Sequence, residues 1–281
     1  MAFCGNRQET GCAELDLTGP LGEQTRGLQV EFQFGDKVIT VNVASAADLL
    51  AQVRARFAVG GGFALATLNL DHLVKLSGSD AFRAAYGAQD LVVADGNPIV
   101  WLSRLAGRPV ELVPGSDLVL PLVRLAAETG QKVALVGSTA LVLEAAARHL
   151  RSEVPGLDVA LCIAPPFGFD PTGPEADRIM ARISSAGIGL CLLALGAPKQ
   201  EVFAARGRLL APKTGFASIG AGLDFLAGHQ RRAPLWMRRL VLEWLWRLLS
   251  NPRRLAWRYS QCVLILPGQV GKALVQRRKL A

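Results

Sequence analysis

Two short stretches place polar side chains where chemistry is feasible. Thr67-Leu68-Asn69 closes the apolar run Gly62–Leu68 and is followed by Asp71 and His72. Ala94-Asp95-Gly96-Asn97-Pro98 follows the apolar run that starts at Leu91. If both runs are parallel strands, their carboxyl ends border the crevice where open α/β sheets bind ligands. A carboxylate at position 95 would then face bound substrate, able to take a proton from a hydroxyl group. The same spacing also suits a helix cap, with Asp95 capping a helix from near Pro98 and Gly96 making the turn. From these residues alone both readings stand.

Three glycine-bearing turns extend the candidate site: Val136-Gly137-Ser138-Thr139, Leu195-Gly196-Ala197-Pro198-Lys199-Gln200-Glu201 and Ile219-Gly220-Ala221-Gly222. Each offers backbone N–H groups at the start of a helix, which suits a phosphate. Lys199 adds a charge for a diphosphate, and Gln200 with Glu201 can hold sugar or ribose hydroxyls. Close packing of a doubly wound sheet asks for glycines at the same places, and neither GxGxxG nor GxxxxGK[ST] occurs. Asp117, after Pro114-Gly115-Ser116, reads first as a helix-start residue. The histidines His72, His149 and His229 share no metal-ligand spacing. The five cysteines are scattered without CxxC pairs, which argues against a disulfide framework or a zinc site.

The elements that must carry these residues follow from apolar patterning. Leu28–Phe34 and Lys37–Val43 alternate around Gly35-Asp36, a hairpin signal. Gly62–Leu68, Leu91–Ala94, Lys132–Val136, Leu157–Ile163, Ile188–Leu195 and Phe216–Ile219 are apolar runs without clean alternation, as in strands buried on both faces. Helical periodicity fills the gaps, as in Thr139–Leu150 and Glu175–Ser185. The expected fold is α/β: a Rossmann-like, mostly parallel sheet with helices on both faces. An N-terminal β-hairpin precedes it, and a basic, Trp-rich helical appendage follows it. The expected organisation is a flexible extension over 1–26, a catalytic domain over 27–228 and the appendage over 229–281.

Charge separates the appendage from the body. The chain has 281 residues, 51% of them hydrophobic and 19% charged, enough to bury a core, with net charge +8. From Arg231 to Ala281 there are twelve Lys and Arg against one acid, Glu243, so the preceding residues carry −3. Four of the five tryptophans follow Gly228, interleaved with arginine. Arg239, Glu243 and Arg247, spaced i, i+4, i+8, form one polar stripe on a helix that is apolar almost all round. Such a segment can lie on an anionic membrane surface, grip nucleic acid, or dock on the body or a sister subunit. No run reaches the ~18 uncharged apolar residues a spanning helix needs, and no secretory signal is visible. The expected location is therefore cytoplasmic. A dinucleotide-dependent oxidoreductase would need a glycine fingerprint that is not found here.

Taken together, TLNLDHLVKL (67–76), VVADGNPIVW (92–101), PGSDL (114–118), GAPKQE (196–201) and GAGLDFLAGHQRRAPLWMRRLVLEWLWRLLSNPRRLAWRY (220–259) resemble the WecG/TagA/CpsF family of bacterial glycosyltransferases, family 26. The resemblance runs from about Gly35 to Tyr259; the tail beyond lies outside it. It implies an inverting transfer from a UDP-sugar to a polyprenyl-diphosphate-linked saccharide in cell-surface or exopolysaccharide synthesis. It implies no metal and no other cofactor. Asp95 would be the general base, with Thr67 and Asn69 of the TxN motif orienting substrate. Arg232, Arg239 and Arg247 would meet the diphosphate or acceptor phosphates, in keeping with arginine's bidentate geometry. The appendage would close the site and rest on the inner face of the cell membrane as a peripheral element; nucleic acid is not an implied partner, and self-association is compatible with the apolar tail. Asn97-Pro98 and Leu112-Val113-Pro114 depart from the family pattern, and both border the implied donor pocket.

Overall fold

The computed structural model describes residues 29–228, 237, 243–250 and 252–280. The chain opens with a hairpin, β1 (Val30–Phe34) and β2 (Lys37–Val41), paired from Val30↔Val41 to Phe34↔Lys37 around the two-residue turn Gly35-Asp36. Asn42 then ties the hairpin to the sheet. Its amide donates to Asp90 O at 2.8 Å and its carbonyl accepts from Val92 N at 2.7 Å, mimicking a strand partner.

Six parallel strands follow: β3 (Phe63–Leu68), β4 (Leu91–Ala94), β5 (Lys132–Gly137), β6 (Val159–Ile163), β7 (Ile188–Ala194) and β8 (Gly215–Ser218), in the order β4-β3-β8-β7-β5-β6. The expected strands all form, within a residue or two at most ends. β3 is buried along its whole length while edge strand β6 exposes Ala160 and Cys162, the difference expected between a strand covered on both faces and one at a margin.

Alternation along β3 shows how both faces are covered. Leu65 points into one core with Leu49 and Val53 of α1 (Ala46–Ala58), Leu118 and Leu122 of α5 (Gly115–Glu128) and Leu143 of α6 (Ala140–Glu153). Ala66 and Leu68 point the other way, toward α2 (Leu70–Gly78), α3 (Asp80–Gly87), α4 (Asn97–Leu105) and the hairpin. Ala64 completes that second face against Phe203 of α8 (Lys199–Leu210), which packs near α7 (Pro174–Ser185). Side-chain oxygen caps start α1, α3 and α6: Ser45 accepts from Asp48 N, Ser79 from Phe82 N and Thr139 from Val142 N. A short α9 (Gly222–Leu226) follows β8.

Beyond it, α10 (Glu243–Ser250) and α11 (Pro252–Arg278) lie in the expected appendage. α11 runs 27 residues and continues through Pro267. Ala273 is buried, and Ile265, Leu266 and Val270 pack on the hairpin–α2–α4 core. Gln276 clasps the outer edge of β1, accepting from Glu31 N at 3.2 Å and donating to Glu31 O. Lys272 donates to Gln33 O at 2.9 Å and lies over the Phe34 ring. The docked reading of the tail therefore holds for this half of α11. No helix among the described residues is long and apolar enough to cross a membrane. Residues 1–26, expected as an extension, lie outside the described residues.

Candidate active site

The strand order sets the ends of β4, β3, β8, β7 and β5 side by side on one edge of the sheet. Asp95 leaves β4 with its amide donating to Leu68 O at 2.7 Å, so the ends of β4 and β3 are locked in register. Helix α4 is capped by Gly96, with φ +115 and no side-chain cap bond. The N-cap position of α4 is thus held by Gly96 and not by Asp95. Its side chain is partly exposed at the strand end. Asn69 stands close by: a Cβ built on Gly96 would lie 4.0 Å from the Asn69 Cβ. Asn97 is partly exposed in the first turn of α4.

Asn69 caps α2, accepting from His72 N at 3.1 Å. That fixes its amide, so the NH₂ group faces His72 Nε2, 3.5 Å away. Thr67 is buried, and its hydroxyl donates to Ser218 O at 3.3 Å, tying β3 to β8 beneath the crevice floor. At the end of edge strand β4, Val113 N donates to Ala94 O at 2.8 Å, bringing the 114–118 segment back to the crevice. Asp117 lies in the first turn of α5, the helix-start role expected of it.

Behind Asn69 is a buried polar cluster that sequence reasoning did not find. His72 Nδ1 lies 2.6 Å from Tyr86 Oη. Burial pushes the His72 imidazole down to about 3, so it is neutral near pH 7. The Tyr86 hydroxyl is raised well above its ordinary value, by burial first and then by the negative charges of Glu201 and Asp95, which puts both carboxyls in its neighbourhood. Burial also pushes the Glu201 carboxyl up to about 7, against the lowering pull of Gln200, its own backbone and Lys75.

Gln200 and Glu201 are among the expected ligand-binding residues, yet they are 2% and 0% exposed and bond each other at 2.9 Å. They line this cluster and not the open surface. Glu201 Oε2, Gln200 Oε1, Gln89 Oε1 and Ser218 Oγ have no hydrogen-bond partner among the described residues. Gly196 is exposed and Lys199 partly exposed at the end of β7, both on the crevice edge. Gly137 is buried with φ +123; a Cβ there would meet Ala194 C and O at 2.4 Å, so this glycine is required by strand packing. Next to it Ser138 holds φ +48 and donates to Asp224 at 2.9 Å. A side-chain-bearing residue kept in that region is costly and marks an over-determined turn.

Arg232 and Arg239 lie outside the described residues, as does His229; Arg247 falls in α10, and nothing is described of its side chain. Trp244, Leu249, Trp257, Val263 and Leu264 of α10 and α11 are exposed, so the apolar character noted in the sequence persists on this surface.

The sequence model for the glycosyl transferase WecG/TagA/CpsF family matches residues 37–281. The match extends to the last residue, past Tyr259, where the motifs alone had placed the limit of the resemblance. The chain is also similar to the N-acetylglucosaminyldiphosphoundecaprenol N-acetyl-beta-D-mannosaminyltransferase of Bacillus spizizenii (strain ATCC 23059 / NRRL B-14472 / W23), 29% identical over 202 residues, covering 71% of this chain and 74% of that protein.

Proposed function

The chain belongs to the WecG/TagA/CpsF glycosyltransferase family, and from that premise we propose that it moves a sugar from a UDP-sugar to a polyprenyl-diphosphate-linked saccharide, with inversion at the anomeric carbon. The observation that supports this most is Asp95: a partly exposed carboxylate at a strand end, beside Asn69 and one residue before the N-cap of its helix. In the proposed step an acceptor hydroxyl oxygen attacks the anomeric carbon from the face opposite UDP. The bond to the diphosphate oxygen breaks, UDP leaves with the electron pair, and Asp95 takes the hydroxyl proton. Asn69 orients the reacting sugar, and Thr67 holds the floor by its bond to Ser218 O. Asn97, Gly196 and Lys199 border the donor, Lys199 meeting the diphosphate. Gly137, Gln200 and Glu201 shape the pocket from behind. Arg232, Arg239 and Arg247 offset the charge that builds on the leaving UDP.

The acceptor is carried in lipid, and the exposed apolar side chains of α10 and α11 with the basic tail suit a peripheral site on the inner face of the cell membrane. The relative's name makes undecaprenyl-diphosphate N-acetylglucosamine and an N-acetylmannosamine donor the first pair to test. Purified protein is given that acceptor, or a short-chain analogue, with a panel of UDP-sugars and one GDP-sugar. Product whose new linkage has the anomeric configuration opposite to the donor's, formed from a UDP-sugar only, is the expected result. A retained configuration, or transfer from the GDP-sugar alone, contradicts the proposal.

A further inference from the structure

Asp71 lies two residues beyond Asn69, in the first turn of α2, and its side chain is only 12% exposed. It is held by two cations from different parts of the fold. Arg258 of α11 donates from Nε to Oδ1 at 3.0 Å, and Lys75, one turn along α2, meets Oδ2 at 2.8 Å. Lys75 also donates to Ala197 O at 3.2 Å, in the turn that leads directly into Lys199, Gln200 and Glu201. One continuous polar path thus runs from the C-terminal helix, through the base of the Asn69 turn, to the loop at the end of β7. Cys262, one turn beyond Arg258, is buried in the same place. Burial alone would raise the Asp71 carboxyl, yet Lys75 and Arg258 hold it below its usual value.

We propose that Arg258, Asp71 and Lys75 form a charged brace that makes the geometry of the crevice depend on the seating of the C-terminal helix. All three are positioning residues; none need touch substrate. A solvated ion pair would do little, but Asp71 is mostly enclosed and shared, so loss of either cation leaves the carboxylate short of a partner and lets a different wall of the crevice relax. Arg258 ties the first turns of α11 to α2, and Lys75 ties the 196–201 turn to the same carboxylate. A segment suited to lipid would in this way be coupled mechanically to the residues around Asn69 and Glu201.

The test uses the full chain and the variants Arg258→Gln, Arg258→Lys, Lys75→Met and the Arg258→Gln/Lys75→Met double. Amide exchange is followed at Gln200 and Val202, whose N–H groups bond Gly196 O and Pro198 O. Arg258→Gln is expected to speed exchange there about two- to fivefold, the scale of a partly exposed ion pair. Arg258→Lys restores protection, and Arg258→Gln adds nothing further once Lys75 is Met. Two results overturn the brace: faster exchange confined to α11, or an Arg258→Gln effect that multiplies in full on Lys75→Met. The exchange readout stands apart from catalysis. The rate arm, a fall in kcat for Arg258→Gln with unchanged Tm, rests on the proposed transferase activity. Coupled exchange without any transfer would sink that activity and leave the brace; transfer without coupled exchange would do the reverse.

Discussion

At position 201 a carboxyl group sits fully enclosed, bonded to Gln200 on one oxygen and without a described partner on the other. Burial penalises the charged form, which raises this carboxyl from 4.5 to about 7. The sign of its pH dependence follows. The folded state holds this proton more tightly than the unfolded chain, so its contribution is full below pH 4.5 and is lost as pH rises to about 7. Glu201→Gln keeps the shape and removes the titration. The variant's stability minus that of the parent should therefore climb by on the order of 3 kcal/mol across that window, read from denaturant midpoints at several pH values. A pH-independent difference contradicts it. His72 works in the opposite sense: its folded value is depressed from 6.5 to about 3, so its contribution is full above 6.5 and fades as the solution is acidified. None of this was legible from residues 72, 86, 89 and 201 in the sequence. They are scattered over two helices, a loop and a third helix far along the chain, and the bond from Gln89 to Glu201 O closes a separation of 112 residues. Asp95 was legible as a candidate but not distinguishable from a cap until Gly96 was seen to take that place.

Among the elements, the six strands were the easiest to read, because a parallel strand covered on both faces is written as an unbroken apolar run. Helix α11 was the hardest. Pro267, Gly268 and Gly271 argue locally against a helix there, yet packing of Ile265, Leu266, Val270 and Ala273 on the hairpin core overrides them. The turn at Gly137 was legible as glycine-bearing, but its two readings, phosphate cradle or close packing, differ only in three dimensions. The 2.4 Å approach to the Ala194 backbone makes packing a strict requirement. Gly137→Ala should cost about 2–4 kcal/mol in stability, combining overpacking with an unfavourable φ. Chemical denaturation measures it, and a loss below about 1 kcal/mol, within what a well-packed site tolerates, would refute the requirement.

Taken whole, the molecule joins a body of net charge −3 to a tail of +11 that displays Trp257 and Leu264 to solvent. If that surface meets lipid, Trp257→Ser with Leu264→Ser should weaken binding to phosphatidylglycerol vesicles about tenfold or more, since each buried apolar side chain contributes about 1.5–3 kcal/mol. Sedimentation with vesicles reads it directly, and the parent should also release in high salt as its basic residues are screened. Unchanged sedimentation of the double variant would exclude this face as the contact. The proposed transfer depends on the carboxylate at the end of β4. Its most direct test compares the steady-state transfer rate of Asp95→Ala with the parent on a lipid-linked acceptor, checking by circular dichroism that the fold is kept. Removing a general base should lower kcat by about 10²–10⁴, whereas turnover within a few fold of the parent would contradict the mechanism at its root.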